Sequence, residues 1–246
     1  MGWKDNLTVI LVETRNPLNI GAAARAMLNF GFTRLTLVKP YDVAFREARS
    51  AAGAAAVLAD AEVAPSLDQA LGEATLVVGA SSPQGRVFRQ PRRKLEEAAA
   101  LLRAHLARRS AALLFGSEKF GLSNEHLSHC HWSLRIPTDA RCPSMNLGQA
   151  VALVCYELAR PAAAPPRPAA SKPAPAAGQL DRIGTRLAAV LDSSGYIHPR
   201  TRRSHLLKIR RLVRRLALSP GGARVVEGML RQIEWKLGQM PISTER

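Results

Sequence analysis

Cysteine is scarce in this chain: three among 246 residues, at 130, 142 and 155, with no Cys-x-x-Cys pair. An odd, scattered set excludes a disulfide scaffold and fits a protein kept reduced in the cytoplasm. Long apolar runs are missing too, so no segment is expected to span a bilayer, and Met1-Gly-Trp-Lys-Asp-Asn6 lacks the apolar core of a secretion signal. Asn6 also stands where a myristoylation signal wants Ser or Thr. Glycine is absent from the first expected strand-to-helix turn: Val9–Val12 leads into Glu13-Thr-Arg-Asn-Pro-Leu-Asn19, with no glycine before Gly21. That disfavours a Rossmann dinucleotide site there, and the lack of Gly-Lys-Ser/Thr makes phosphate-loop chemistry improbable.

Acidic residues are few, 19 against 35 Lys and Arg, giving a formal net charge of +16. The excess is uneven. Residues 1–160 carry a net +5 and residues 161–246 a net +11. Such asymmetry points to a polyanionic partner engaged mainly by the C-terminal part, nucleic acid first and an anionic membrane surface second. Little aromatic content (5%) disfavours membrane docking.

Short apolar runs alternate with helical patterns. Leu7–Val12, Leu35–Val38, Leu76–Gly79, Ala112–Phe115 and Ser133–Ile136 read as buried strands, and Ile20–Phe30, Leu95–Ala107 and Leu147–Ala159 as helices. Strand–helix alternation predicts a parallel sheet covered on both faces. The alanines of Phe45–Ala64 read as helix but supply little anchoring bulk. Pro161–Gly178 holds six prolines and reads as a stiff linker. Beyond it, Leu180–Leu191, Ser204–Leu216 and Ala223–Leu237 carry one apolar stripe each, Leu206, Ile209, Val213 and Leu216 in the second, and Ser219-Pro220 offers a helix start. The domain reading is therefore 1–160, a linker over 161–178, and a helical extension over 179–246. No internal repeat is present.

Three stretches carry candidate chemistry. In Asn19-Ile-Gly-Ala-Ala-Ala-Arg25, Asn19 reads as an N-cap and Arg25 lies within the second helical turn, where it could face an anion. On its own this reads rather as a small-residue packing helix with a surface arginine. Phe115-Gly-Ser-Glu-Lys-Phe-Gly-Leu122 follows a strand, and its two glycines permit a sharp bend. Ile136-Pro-Thr138 ends the last strand, and Pro143-Ser-Met-Asn-Leu147 opens the last helix with Ser144 as a candidate N-cap.

Taken together and in this order, these stretches resemble motifs 1, 2 and 3 of the SpoU branch of the SPOUT RNA methyltransferases, most closely the TrmJ type that methylates a tRNA ribose 2′-oxygen. The likeness extends to Val12-Glu-Thr, Leu76-Val-Val-Gly79 and Leu191-Asp-Ser-Ser-Gly-Tyr196. It implies a deep C-terminal trefoil knot, a feature no pattern reading would suggest. It also implies S-adenosyl-L-methionine bent against the knot loops, with Ala80, Ser81, Ser82, Gly116, Ile136, Pro143, Ser144 and Met145 at the cofactor-contacting positions. Arg25, Asn19, Glu118 and Asn146 would form the catalytic set, with Asn19 helping to place Arg25 and Glu118 holding the loops. A guanidinium keeps its proton, so Arg25 is better read as gripping a phosphate and stabilising charge on the 2′-oxygen than as a base. Two positions depart from the pattern: Pro143-Ser-Met-Asn replaces Ser-Ser-Leu-Asn, and Ala80 replaces Thr, losing a hydroxyl.

The resemblance further implies a homodimer and a target at position 32 in the anticodon loop. Ribosomal RNA as substrate, and a non-catalytic RNA-binding protein on the same scaffold, are the alternatives. Arg200, Arg202, Arg203, Lys208, Arg210, Arg211, Arg214 and Arg215, with no acidic residue among them, read as a phosphate-tracking surface. His126, His129, Cys130 and His131 lack a second ligand group at suitable spacing, so no metal site is expected.

Overall fold

In the computed structural model, residues 2–41, 53–81, 91–160 and 173–238 are described. The chain divides into two compact units, Met1–Ser171 and Lys172–Arg246. Among the described residues, the first is built on seven strands: β1 (Leu7–Val12), β2 (Leu35–Val38), β3 (Glu62–Ala64), β4 (Leu76–Ala80), β5 (Arg92–Lys94), β6 (Ala111–Phe115) and β7 (Trp132–Arg135). They lie in the order β3-β2-β1-β6-β4-β7-β5, and every pairing is parallel. Parallel strands need crossovers that cover both faces, which is why the central strands are near-continuous apolar runs rather than alternating.

Leu7, Val9 and Leu11 of β1 join residues of α1 (Pro17–Asn29), α2 (Ala55–Ala59), α4 (Leu95–Leu106) and α6 (Leu147–Ala159) in one core. The remaining short helices are α3 (Leu67–Leu71) and α5 (Asn124–Ser128). A Cβ on Gly79 would meet Leu122, Leu127 and Cys130 within about 3 Å, so this glycine lets the 116–128 segment close on β4. The small residues of α1 have a similar cause. A Cβ on Gly148 of α6 would stand 2.7 Å from that of Ala22, so α1 and α6 touch nearly backbone to backbone.

Two expected helix starts move, each for a local reason. Asn16, not Asn19, caps α1: its side chain accepts from Leu18 N–H at 2.9 Å, and Pro17 at the first position supplies a pre-set φ. The helix thus begins a turn earlier, and Arg25 is its ninth residue, beyond reach of the N-terminal partial charge. Asn146, not Ser144, caps α6, accepting from Gly148 N–H at 2.9 Å and Gln149 N–H at 3.3 Å. Two three-residue edge strands, β3 and β5, escaped the pattern reading because they are too short to show a period, and β5 is wholly basic. Within Phe45–Ala64, the described part forms α2 and β3, and residues 45–52 lie outside the described residues.

The second unit holds α7 (Ala177–Ser193), α8 (Arg202–Arg215) and α9 (Pro220–Gly238). The segment expected to remain linker to 178 is already helical at Ala177. Helices α8 and α9 both pack on α7 through Leu180, Ile183, Val213, Ala223 and Leu230. Ser219 caps α9 by accepting from Gly222 N–H at 3.0 Å, as the Ser-Pro pair predicts. Leu216 does not join the apolar stripe; α8 ends at Arg215 and Leu216 is half exposed.

Candidate active site

All seven strands point the same way, so the loops after β1, β4, β6 and β7 gather at one edge of the sheet, where open α/β folds bind ligands. The backbone there is unusual: Glu13 and Lys39, directly after β1 and β2, have φ of 53° and 47°, a region side chains seldom adopt.

Glu118 organises the edge. One carboxylate oxygen accepts from Arg15 N–H at 3.2 Å; the other accepts from Asn16 N–H at 3.2 Å and from the Asn19 side-chain amide at 3.0 Å. Asn19 in turn accepts from the Asn146 amide at 2.9 Å. Three segments far apart in sequence are thereby tied into one network: the β1–α1 loop, the turn after β6 and the start of α6. Partial burial pushes the Glu118 carboxyl up, but the bonds from Asn19, Arg15 and Asn16 outweigh it and hold the group below its ordinary value. The network is built for a charged carboxylate.

The turn carrying Glu118 folds back on itself. Gly121 N–H donates to Ser117 O at 2.7 Å, and a Cβ on Gly116 would stand 2.0 Å from the Gly121 carbonyl carbon. Any side chain at 116 would force this loop open. Beside it lies a cleft of about 400 Å³, within the size range of small-molecule sites. Its walls include Ala80, Ser81, Gly116, Ile136, Pro143, Ser144 and Met145, seven of the eight positions that the motif likeness assigns to a cofactor. Ser82, the eighth, lies outside the described residues. Thr138 braces the last wall by donating to Pro143 O at 3.1 Å.

The structure brings Asn19, Glu118 and Asn146 together. Arg25 is exposed on α1, and its guanidinium lies against Gly53, where a Cβ would come 2.2 Å from Nη1. Gly53, with φ of 76°, therefore leaves the space that the guanidinium occupies. Sequence reading missed Gly53, and missed Asn16, although the Asn-Pro dipeptide was a usable signal for a helix start.

The three histidines near α5 engage different partners. His126 accepts from Ser123 N–H at 3.2 Å and lies 3.7 Å from Glu13, His129 lies 3.4 Å from Asp68, and His131 accepts from Val77 N–H at 3.0 Å.

The eight basic residues expected to track phosphate differ in their exposure. Arg214 is buried in the helical unit, bonded to Asp181 at 2.8 Å with both side chains under a tenth exposed. Arg210 is partly buried at 3.8 Å from the same carboxylate, and Arg211 is partly buried as well. Arg202 pairs with Asp192. A carboxylate excluded from water demands a partner, and α8 supplies it from its inner side. Arg200, Arg203, Lys208 and Arg215 are exposed.

A doubly covered parallel sheet with a loop-lined cleft at its C-terminal edge, held by a carboxylate–amide network, defines an α/β enzyme scaffold rather than a binding helix bundle. The chain belongs to the SpoU methylase family: the model described as "SpoU rRNA Methylase family" matches residues 6–156. It is 33% identical over 243 residues to the tRNA (cytidine/uridine-2'-O-)-methyltransferase TrmJ of Cronobacter sakazakii, covering 96% of this chain and 99% of that protein. The protein of that name from Yersinia enterocolitica is 33% identical over 236 residues, covering 93% of this chain and 91% of its own. The crystal structure of TrmJ from Z. mobilis ZM4 superposes with a TM-score of 0.81 at 29% identity, over 92% of this chain and 98% of that one.

Proposed function

We propose that this protein transfers a methyl group from S-adenosyl-L-methionine to the ribose 2′-oxygen of a tRNA nucleotide, cytidine or uridine at position 32 of the anticodon loop. The observation that carries the reading is the adjacency of the cleft to the Glu118–Asn19–Asn146 network, because Glu118 both lines the one and anchors the other. Relatives alike over nearly the whole chain, including the helical extension that lies beyond the family match, carry a tRNA name and favour tRNA over ribosomal RNA.

The cleft fits the cofactor by its own chemistry. Ile136, Met145, Leu122 and Ala150 offer apolar walls, Ser81, Ser144 and Thr138 offer polar groups, and Gly116 lets backbone approach. When bound, S-adenosyl-L-methionine supplies a sulfonium-activated methyl group. The residues of this chain then have mainly to orient the nucleophile and stabilise its charge. Arg25, with its planar fork, is assigned to the phosphate beside the target ribose and to negative charge on the 2′-oxygen. Asn19 and Asn146, locked by Glu118, fix the loop and helix around it.

Late strands β6 and β7 each enter between earlier ones, which supports the trefoil knot that the family likeness implies. Leu18, Met145, Leu153 and Tyr156, on or beside α1 and α6, leave apolar surface exposed, which supports a homodimer covering these helices. No helix among the described residues is long and apolar enough to cross a membrane; a cytoplasmic location belongs to the proposal through its tRNA substrate. The deciding experiment incubates the protein with labelled cofactor and either total tRNA or ribosomal RNA, then maps the methylated nucleotide by mass spectrometry. Label confined to ribosomal RNA, or absent from both, would overturn the proposal.

A further inference from the structure

Tyr41 is 80% exposed in the turn that follows β2, at the same sheet edge as the cleft. Aromatic side chains are few in this chain, and what sets Tyr41 apart is its tie to the site rather than its exposure alone. Its backbone is not loose: Tyr41 N–H donates to Thr14 O at 3.0 Å. The guanidinium of Arg15 lies over its ring, 6.0 Å from the centroid. Arg15 is itself pinned, since its N–H donates to Glu118 at 3.2 Å. The aromatic face thus stands one arginine side chain away from the carboxylate that lines the cleft. Across that carboxylate, Phe120 is 59% exposed with the Lys119 ammonium 5.3 Å from its ring.

We infer that Arg15 and Tyr41 form a platform on which a single-stranded RNA base next to the target nucleotide stacks. This deepens the proposed function and rests on it for the substrate class. The chemistry follows from the parts. A fixed aromatic face accepts any base, and a neighbouring guanidinium adds a cation for the π-system or the adjoining phosphate. Loop nucleotides are unstacked enough to be splayed onto such a face, whereas a paired stem is not. Held this way, the base on one side of the target would fix the ribose against the cleft wall without any base-specific hydrogen bond. The platform would position the loop without itself choosing cytidine over uridine.

The test compares Tyr41→Ala and Tyr41→Phe in the full-length protein. Base–aromatic stacking is lost by the alanine variant, so KM for tRNA should rise by about five- to a hundredfold, with kcat at saturating tRNA and cofactor affinity both kept. The phenylalanine variant, which preserves the ring, should behave as wild type. A parallel readout uses an anticodon stem-loop RNA carrying 2-aminopurine beside position 32. Wild type and Tyr41→Phe should quench its fluorescence on binding, and Tyr41→Ala should not. Wild-type binding and quenching by Tyr41→Ala would overturn the inference. So would failure of Tyr41→Phe, which would assign the hydroxyl, or a change of oligomeric state, which would assign the ring to a second copy. Because the quenching assay needs no methyl transfer, a protein that methylates no tRNA yet still quenches would sink the substrate reading and leave the platform standing.

Discussion

Replacing Glu118 by Gln is the sharpest probe of how the site is held. The side chain keeps its shape but has one acceptor oxygen where the carboxylate had two. If that oxygen keeps the bonds from Asn16 and Asn19, the new amide faces Arg15 N–H, donor against donor, across a 3.2 Å gap. Losing one charge-assisted bond and gaining one mismatched donor costs about 1–3 kcal/mol, with the lower half favoured because the bonds lie close to solvent. That shifts the population with the β1–α1 loop docked by roughly five- to thirtyfold. Methyl transfer at saturating RNA and cofactor should fall by a similar factor. Cofactor affinity is a second readout, because Glu118 itself lines the cleft although its partners Arg15, Asn16 and Asn19 do not. The pH dependence gives an independent readout. Glu118 is held below its ordinary value of 4.5, so in the wild type the network is complete above that value and is lost only as pH falls through the depressed one. An acid limb belonging to this group should vanish in the Gln variant. Undiminished turnover by Glu118→Gln would refute the argument, as would an unchanged acid limb.

Arg25→Ala should lose on the order of a hundredfold in turnover, and Gly53→Ala should lose turnover by displacing the same guanidinium; a double variant no slower than Arg25→Ala alone would confirm the shared cause, and multiplying effects would disprove it. Gly53→Ala also places a side chain at φ of 76°, so its unfolding free energy should drop by about 1–2 kcal/mol. Arg214→Gln is expected to act on folding, lowering the denaturation free energy of the helical unit toward the lower end of roughly 3–5 kcal/mol, since Arg210 at 3.8 Å partly compensates Asp181; a normal denaturation midpoint with weakened RNA binding would return Arg214 to the surface role. Replacing Arg200, Arg203, Lys208 and Arg215 with Gln should flatten the slope of log affinity against log salt by roughly 0.7–0.9 for each phosphate no longer neutralised, whereas an unaltered slope would show that RNA does not track this face.

The sequence by itself determined the scaffold. Short apolar runs such as Leu7–Val12 and Leu35–Val38, each interrupted by a single threonine, read as buried strands because their length and β-branched content suit a doubly covered sheet, and the structure places both with the expected bounds. The same holds for α6, whose one-sided apolar pattern runs unbroken from Leu147 to Ala159. Most of the cleft was legible too, since loop residues at strand ends were flagged by motif and order rather than by contact. What tertiary structure decided were matters of partnership. Asn19 and Ser144 each look like a helix cap in isolation; only folding shows that Asn146 is the cap of α6 and Asn19 a link between that cap and Glu118, 99 residues from Asn19. Eight basic residues on one stretch look alike in sequence, yet helix rotation turns Arg214 inward onto Asp181 and leaves Lys208 and Arg215 in water. Charge can be counted along a chain, but whether a charge is met by solvent or by a carboxylate depends on which surfaces the packing brings face to face.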